Sequence, residues 1–125
     1  MDLTDTISAF AALAQATRLQ TFRLLVAHEP AGLAAGDLAR ALNVPQNTMS
    51  AHLASLARAG LVQGSRRSRS IIYRADLDCL RQIMVFLVND CCGGRPELCA
   101  PLIADLQPCC PPSTKALTLT KSEGA

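Results

Sequence analysis

Leu38-Ala39-Arg40-Ala41-Leu42-Asn43-Val44-Pro45-Gln46-Asn47-Thr48-Met49-Ser50-Ala51-His52-Leu53 is the stretch on which the fold turns. Leu38 and Leu42 lie one helical turn apart and predict a short helix over about 34–42. Asn43 suits the left-handed position that follows a helix end. Pro45 suits the first turn of a new helix, where its missing N–H costs nothing. That second helix is predicted over about 46–59. Met49, Leu53 and Leu56 recur at i, i+4 and i+7 and form one buried stripe. Its outer side is left with Gln46, Asn47, Ser50, Ala51 and His52, which are small or hydrogen-bonding. A merely solvated helix more often carries Glu and Lys there.

Outward from this pair, Leu3, Ile7, Phe10 and Leu13 predict a first helix that Thr4 or Asp5 can start. A second helix is expected from about Ala16 to His28, with Leu19, Phe22, Leu25 and Val26 on one side and Pro30 as its stop. Gly32 and Gly36 bracket a loop, and Gly60 ends the helix that begins near Gln46. Leu61 and Val62 start a strand, Gly64 to Ser70 reads as a turn, and Ser70 to Arg74 returns as a strand. The hairpin tip is basic, with Arg66, Arg67 and Arg69. Asp76 or Asp78 can cap a last helix running to about Asp90. Leu77, Leu80, Ile83, Met84, Leu87 and Val88, with Val85 and Phe86, are too much apolar surface for one side of a solvated helix. A dimer interface is the expected remedy. After Asp90 a turn is expected, then a short helix over about 97–106 and a polar tail from Ser113.

Composition agrees. The 125 residues suit one domain, and half of them are apolar. Aromatics are few and Trp is absent, so the core rests on Leu, Ala, Val and Ile, which favours helices. Residues 38 to 75 hold six arginines and no Asp or Glu, which leaves six basic against ten acidic residues elsewhere. Such a basic stretch predicts a polyanion surface. Two short helices followed by a basic hairpin form a winged helix-turn-helix. Amides and hydroxyls on the second helix can read base edges in the major groove, and wing arginines can reach phosphates or the minor groove. Double-stranded DNA is the expected partner. The N-terminus, Met1 to Thr6, is acidic and no long apolar run follows, so the expectation is a cytoplasmic protein with no membrane association. Only two histidines are present, and an elaborate catalytic site is not expected.

The stretch from Leu38 to Leu53, with Leu56, the run Ala59-Gly60-Leu61-Val62 and the early Ala16-Thr17-Arg18-Leu19, resembles the ArsR/SmtB family of metal-responsive repressors. The Ser-x-His-Leu and Ala-Gly-Leu-Val combination carries most of the likeness. The resemblance spans about residues 5 to 90. It implies a mainly α fold with a β-hairpin wing, a homodimer joined by the first and last core helices, and two recognition helices in adjacent major grooves. Carried over, it places Gln46, Asn47, Ser50 and His52 on DNA. His52 can alternatively brace the fold.

Two inducer sites known in that family have no counterpart here. The helix before the recognition helix, Gly32 to Leu38, has no cysteine, and the last core helix has no histidine. Cysteines instead crowd the end of the chain: five of the six lie between Cys91 and Cys110. A secreted disulfide scaffold would spread them. Cys91-Cys92-Gly93-Gly94-Arg95-Pro96-Glu97-Leu98-Cys99 offers a vicinal pair and, after a turn, a third thiol. Thiolates suit soft ions, and Arg95 can help depress thiol pKa values. The arrangement resembles an arsenite-responsive subgroup with a C-terminal site. The expectation is therefore Cys91, Cys92 and Cys99 binding As(III) or Sb(III) as inducer, with no organic cofactor. Zinc, cadmium, lead or thiol oxidation acting through the same cysteines is the alternative, with Cys109 or Cys110 as a fourth zinc ligand. Cys79, among apolar residues, is expected in the core. A thiol enzyme is disfavoured because no Cys-x-x-Cys follows a strand. The domain plan is thus 1–90 for DNA binding and dimerisation, 91–112 as the inducer segment and 113–125 as a tail.

Overall fold

The computed structural model describes residues 1–90 with 100, 101, 104 and 105. The chain divides into two units, Met1–Phe86 and Leu87–Ala125. In chain order the elements are α1 (Leu3–Leu13), α2 (Ala16–Ala27), β1 (Leu33–Ala34), α3 (Ala35–Leu42), α4 (Gln46–Arg58), β2 (Val62–Arg67), β3 (Ser70–Ala75) and α5 (Leu77–Val85), followed by a π-helical turn, Phe86–Asp90. The expected mainly α fold with a β-hairpin wing is what the chain forms. Of the expected segments 91–112 and 113–125, only Ala100, Pro101, Ala104 and Asp105 are described, and all four are helical. The rest of the helix expected over 97–106 lies outside the described residues. No helix among them is long and apolar enough to cross a membrane.

Three helices start on a side-chain cap. Asp2 accepts from Asp5 N (2.8 Å), so the cap of α1 lies two residues before Thr4 and three before Asp5, the starts read from sequence. Gln15 accepts from Arg18 N at α2. Asp76, not Asp78, caps α5 by accepting from Cys79 N at 3.0 Å. The Arg18 guanidinium donates to Ala12 O (2.6 Å), which satisfies a terminal carbonyl of α1 and ties that helix to α2. This gives Arg18 of the Ala-Thr-Arg-Leu run a structural role.

The core is one cluster centred on Phe22, Leu25, Leu38, Met49, Leu53, Leu56, Leu61 and Ile83. Helix α1 joins it through Ala9, Ala12 and the hydroxyl-bearing Thr6. Leu13 packs against the edge of this core, whereas three of the helix's other large apolar side chains face away: Leu3 is 61%, Ile7 58% and Phe10 40% exposed. Leu19 of α2 is also exposed, and Thr21 takes its place inside, donating to Thr17 O at 2.7 Å and meeting Met49 Sδ at 3.6 Å.

The sheet is antiparallel in the order β1-β3-β2. Strand β1 lies where the sequence reads as a loop, because two residues carry no periodicity. It pairs Leu33 with Tyr73 and Ala34 with Ile72. Gly32 makes this approach possible: its φ is +77°, and a Cβ there would stand 2.5 Å from Tyr73 O. The hairpin also departs from expectation. Strand β2 runs through Arg67, so the turn is Ser68-Arg69 alone rather than 64–70. Gly64, Ser65 and Arg66 are weak strand formers, but they sit opposite Tyr73, Ile72 and Ile71, and the ladder overrides propensity. The last helical run reaches Asp90 as expected, α-helical to Val85 and π-helical over Phe86–Asp90.

Candidate nucleic-acid interface

The turn between α3 and α4 is built by local chemistry. Asn43 is left-handed (φ 57°, ψ 49°), and Val44 N donates to Ala39 O at 3.0 Å, which closes α3. Pro45 then sits extended (φ −60°, ψ 147°) as the N-cap of α4, and Met49 N donates to its carbonyl. The far end of α4 closes the same way. Gly60 has φ +83°, Gly60 N donates to Ala57 O, and Leu61 N donates to Leu56 O. Both ends of the recognition helix are therefore fixed by backbone geometry.

Met49, Leu53 and Leu56 are fully buried and set the rotation of α4. Gln46, Asn47, Ser50 and Ala51 are exposed, whereas His52 is half-buried. At roughly 100° per residue His52 falls on the flank next to Leu56, away from the centre of the outer face. Asn47 Oδ1 accepts from Thr48 N at 3.0 Å on this exposed face.

The hairpin register sorts the wing arginines. Directly opposed residues share a face, so Arg66 stands with Ile71, and Tyr73 with Gly64, on one side. Arg67 stands with Ser70 on the other side. Ser68 takes φ 56° at the tip, next to Arg69. A cleft of about 270 Å³ is lined by Gln46 and Ser50 of α4, Gly36 of α3, and Arg69, Ser70, Ile71 and Tyr73 of the wing. The structure thus brings Gln46, Ser50 and Arg69 together. Arg66 shares the wing face of Ile71 and Tyr73, and Arg67 the face of Ser70; neither of the two lines the cleft itself. Ile71 and Tyr73 were not among the residues singled out from sequence. Only the pairing register reveals that they line the cleft.

The six arginines of the basic stretch do not form one patch. Arg40 is paired with Asp37, Arg58 donates to Ser55 Oγ, and Arg74 makes a two-pronged ion pair with Glu29 (2.7 and 3.2 Å). The hydrogen bond from Arg74 holds the Glu29 carboxyl below its usual range. The Arg66, Arg67 and Arg69 side chains are exposed, with no hydrogen bond or ion pair to a described residue. Three cations without a carboxylate partner among the described residues thus stand at the wing tip near a polar helix face, as a phosphate-lined groove requires.

Cys91, Cys92, Cys99, Cys109 and Cys110 lie outside the described residues. Cys79 is buried as expected, and desolvation, with Asp76, Asp78 and Asp5 nearby, pushes its thiol pKa up. A neutral buried thiol is a poor ligand and nucleophile. Among the described residues no three His, Cys, Asp or Glu are grouped to hold a metal ion.

A family model described as a helix-turn-helix domain matches residues 13–64. No curated protein sequence matches the chain significantly. Among solved structures, an ArsR-like transcriptional regulator from Rhodococcus sp. RHA1 is 30% identical, with a TM-score of 0.65 over 78% of this chain and 89% of that one. The homodimeric winged helix-turn-helix DNA-binding domain of Mb0332 from Mycobacterium bovis, a possible ArsR-family transcriptional regulator, is also 30% identical (TM-score 0.59, 69% and 78% covered). A possible transcriptional regulator for arsenical resistance is 26% identical (TM-score 0.54, 76% and 92% covered). With its helix-turn-helix, its wing and these 30% identical relatives covered over most of their length, the chain belongs to the ArsR family of winged helix-turn-helix transcriptional regulators.

Proposed function

We propose that this protein is a homodimeric repressor that holds operator DNA and releases it when As(III) or Sb(III) binds the thiolates of Cys91, Cys92 and Cys99. The observation that carries the DNA half is the convergence of Gln46, Ser50 and Arg69 on one cleft, with Arg66 and Arg67 exposed on the same wing and without an ion pair to a described residue. Side-chain amides and hydroxyls at that helix face read base edges, and the guanidinium groups hold the backbone. The dimer is supported by Leu3, Ile7 and Phe10 of α1 and by Leu77 and Val85 of α5, all at least 40% exposed. Covering each removes about 1 kcal/mol of unfavourable hydration. The Mycobacterium bovis relative is homodimeric.

The inducer half is supported by donor chemistry. Three thiols follow the interface helix within nine residues, 91 to 99, and Cys79 is withdrawn into the core. Arsenous acid exchanges its three hydroxyls for three sulfurs and releases three waters, so the donor set fits the ion. One of the similar structures is a possible regulator for arsenical resistance. Drawing the segment after Asp90 together at the end of the interface helix would move the two recognition helices out of register with adjacent major grooves.

The test replaces Cys91, Cys92 and Cys99 by Ser and measures DNA binding with and without arsenite. The probe is a duplex enriched by the wild-type protein from a random-sequence library. Loss of arsenite response with DNA binding retained supports the assignment. Release of the triple variant by arsenite sinks it. Response to zinc or peroxide but not arsenite moves the assignment to the zinc, cadmium, lead or oxidant class.

A further inference from the structure

Asp76 does more than cap a helix. Its Oδ1 accepts from Cys79 N at 3.0 Å, which starts α5. Its Oδ2 accepts from the Gln63 side-chain amide at 2.9 Å, which reaches across from β2. Its own N–H donates to Leu61 O at 2.8 Å, and Leu61 N donates to Leu56 O at the end of α4. One residue therefore touches the wing strand, the first turn of α5 and the link out of the recognition helix. Gln63 pairs in register with Arg74, whose guanidinium grips Glu29 beyond the end of α2. Glu29, Gln63, Arg74 and Asp76 line one notch at the wing root.

We infer that Asp76 is a positioning residue that locks the wing hairpin to the start of α5, with the Gln63 side chain as the link. This rests on the proposed function only in that the wing meets DNA. The physical case is one of independent bonds. The N-cap needs one carboxylate oxygen, and the backbone ladder needs neither. The Gln63–Asp76 bond forms none of the backbone bonds of either element. It adds a side-chain tie that steadies both, beyond the Ala75–Asp76 peptide and the Asp76 N–Leu61 O bond that already join them. A displacement of the first turn of α5 must then carry β2 along or break a charge-assisted hydrogen bond. Wing arginines set on β2 and its turn take their position from α5 through this contact.

Two variants separate the link from the cap. Gln63→Met removes the link and keeps the cap. Asp76→Asn keeps an oxygen for Cys79 N, and the Gln63 amide can turn its oxygen toward the new N–H, so the link survives in neutral form. Amide hydrogen exchange is followed for residues 65–72 and 79–80, with unfolding by circular dichroism as the control on fold. The expected result is exchange faster by about threefold or more in both segments for Gln63→Met, and near wild-type exchange for Asp76→Asn. On the library-selected duplex, Arg69→Ala is expected to cost several-fold in affinity in the wild-type background and less than half of that factor in Gln63→Met, because an unlocked wing no longer holds the arginine in place. Unchanged exchange in Gln63→Met, or full multiplication of the two affinity losses, overturns the inference. An Arg69→Ala variant that binds DNA as wild type overturns the DNA role of the wing instead, and the link is then decided by exchange alone.

Discussion

The hairpin register makes a prediction about the wing that sequence order does not. Arg66 and Arg67 are neighbours in the chain but leave opposite faces of the hairpin, and Arg69 lines the cleft beside Gln46 and Ser50. Each arginine is replaced singly by Gln, which removes the charge while keeping length and polarity. Binding to the selected duplex is then measured by fluorescence anisotropy from about 50 to 200 mM salt. A phosphate contact contributes about 0.9 to the slope of log K against log salt, so one lost contact per protomer lowers the slope of a dimer by about 1.8. Over that fourfold salt range the wild type then loses about tenfold more affinity than the variant. Arg69→Gln and Arg66→Gln are expected to show this change. Arg67→Gln is expected to show less than half of it. A slope change for Arg67→Gln equal to that for Arg66→Gln would refute the reasoning, since it would mean that the basic run acts as a sum of charges and not as a sided wing.

Three further outcomes are expected. Gly32→Ala must carry a Cβ at positive φ, 2.5 Å from Tyr73 O, and is expected to lose about 2–4 kcal/mol in urea unfolding followed by circular dichroism; a loss below about 1 kcal/mol would contradict the geometry. The Glu29 carboxyl is held low by Arg74, so its contribution is complete above the ordinary carboxylate pKa and is lost as pH falls through the lowered one. The urea midpoint of the wild type is therefore expected to fall more steeply on acidification than that of Glu29→Gln, and parallel curves would count against the pair. Ile7→Asp places a charge on the exposed apolar side of α1 and is expected to sediment as a monomer with an unchanged circular dichroism spectrum, whereas a dimer of unaltered affinity would exclude α1 from the interface.

Most of the helical architecture could be read from the chain because its causes are local. The Met49, Leu53 and Leu56 stripe, the left-handed Asn43 and the Gly60 stop each depend on a few neighbouring residues, and each is found where periodicity and backbone preference place it. The exposed set Gln46, Asn47 and Ser50 follows from the same arithmetic, because the buried stripe decides what is left outside. His52 shows the limit of that arithmetic: a polar residue on the flank is half-buried, and only packing decides how far. The two-residue strand β1 had no local signal, since its cause is an opposing strand some forty residues away.

By itself the sequence determined the order of helices, the turn between α3 and α4, the basic hairpin and the withdrawal of Cys79 into the core. Tertiary structure decided which way things face. It turned Leu3, Ile7 and Phe10 of α1 outward and buried Ala9 and Ala12, spent Arg40 and Arg74 on carboxylates, and split Arg66 from Arg67. It also made Asp76 a junction between β2 and α5. The physical reason is the range of the forces involved. Helix periodicity and capping act within a turn of chain. Strand register, ion pairing and the choice of buried face are settled between segments that meet only when the chain has folded.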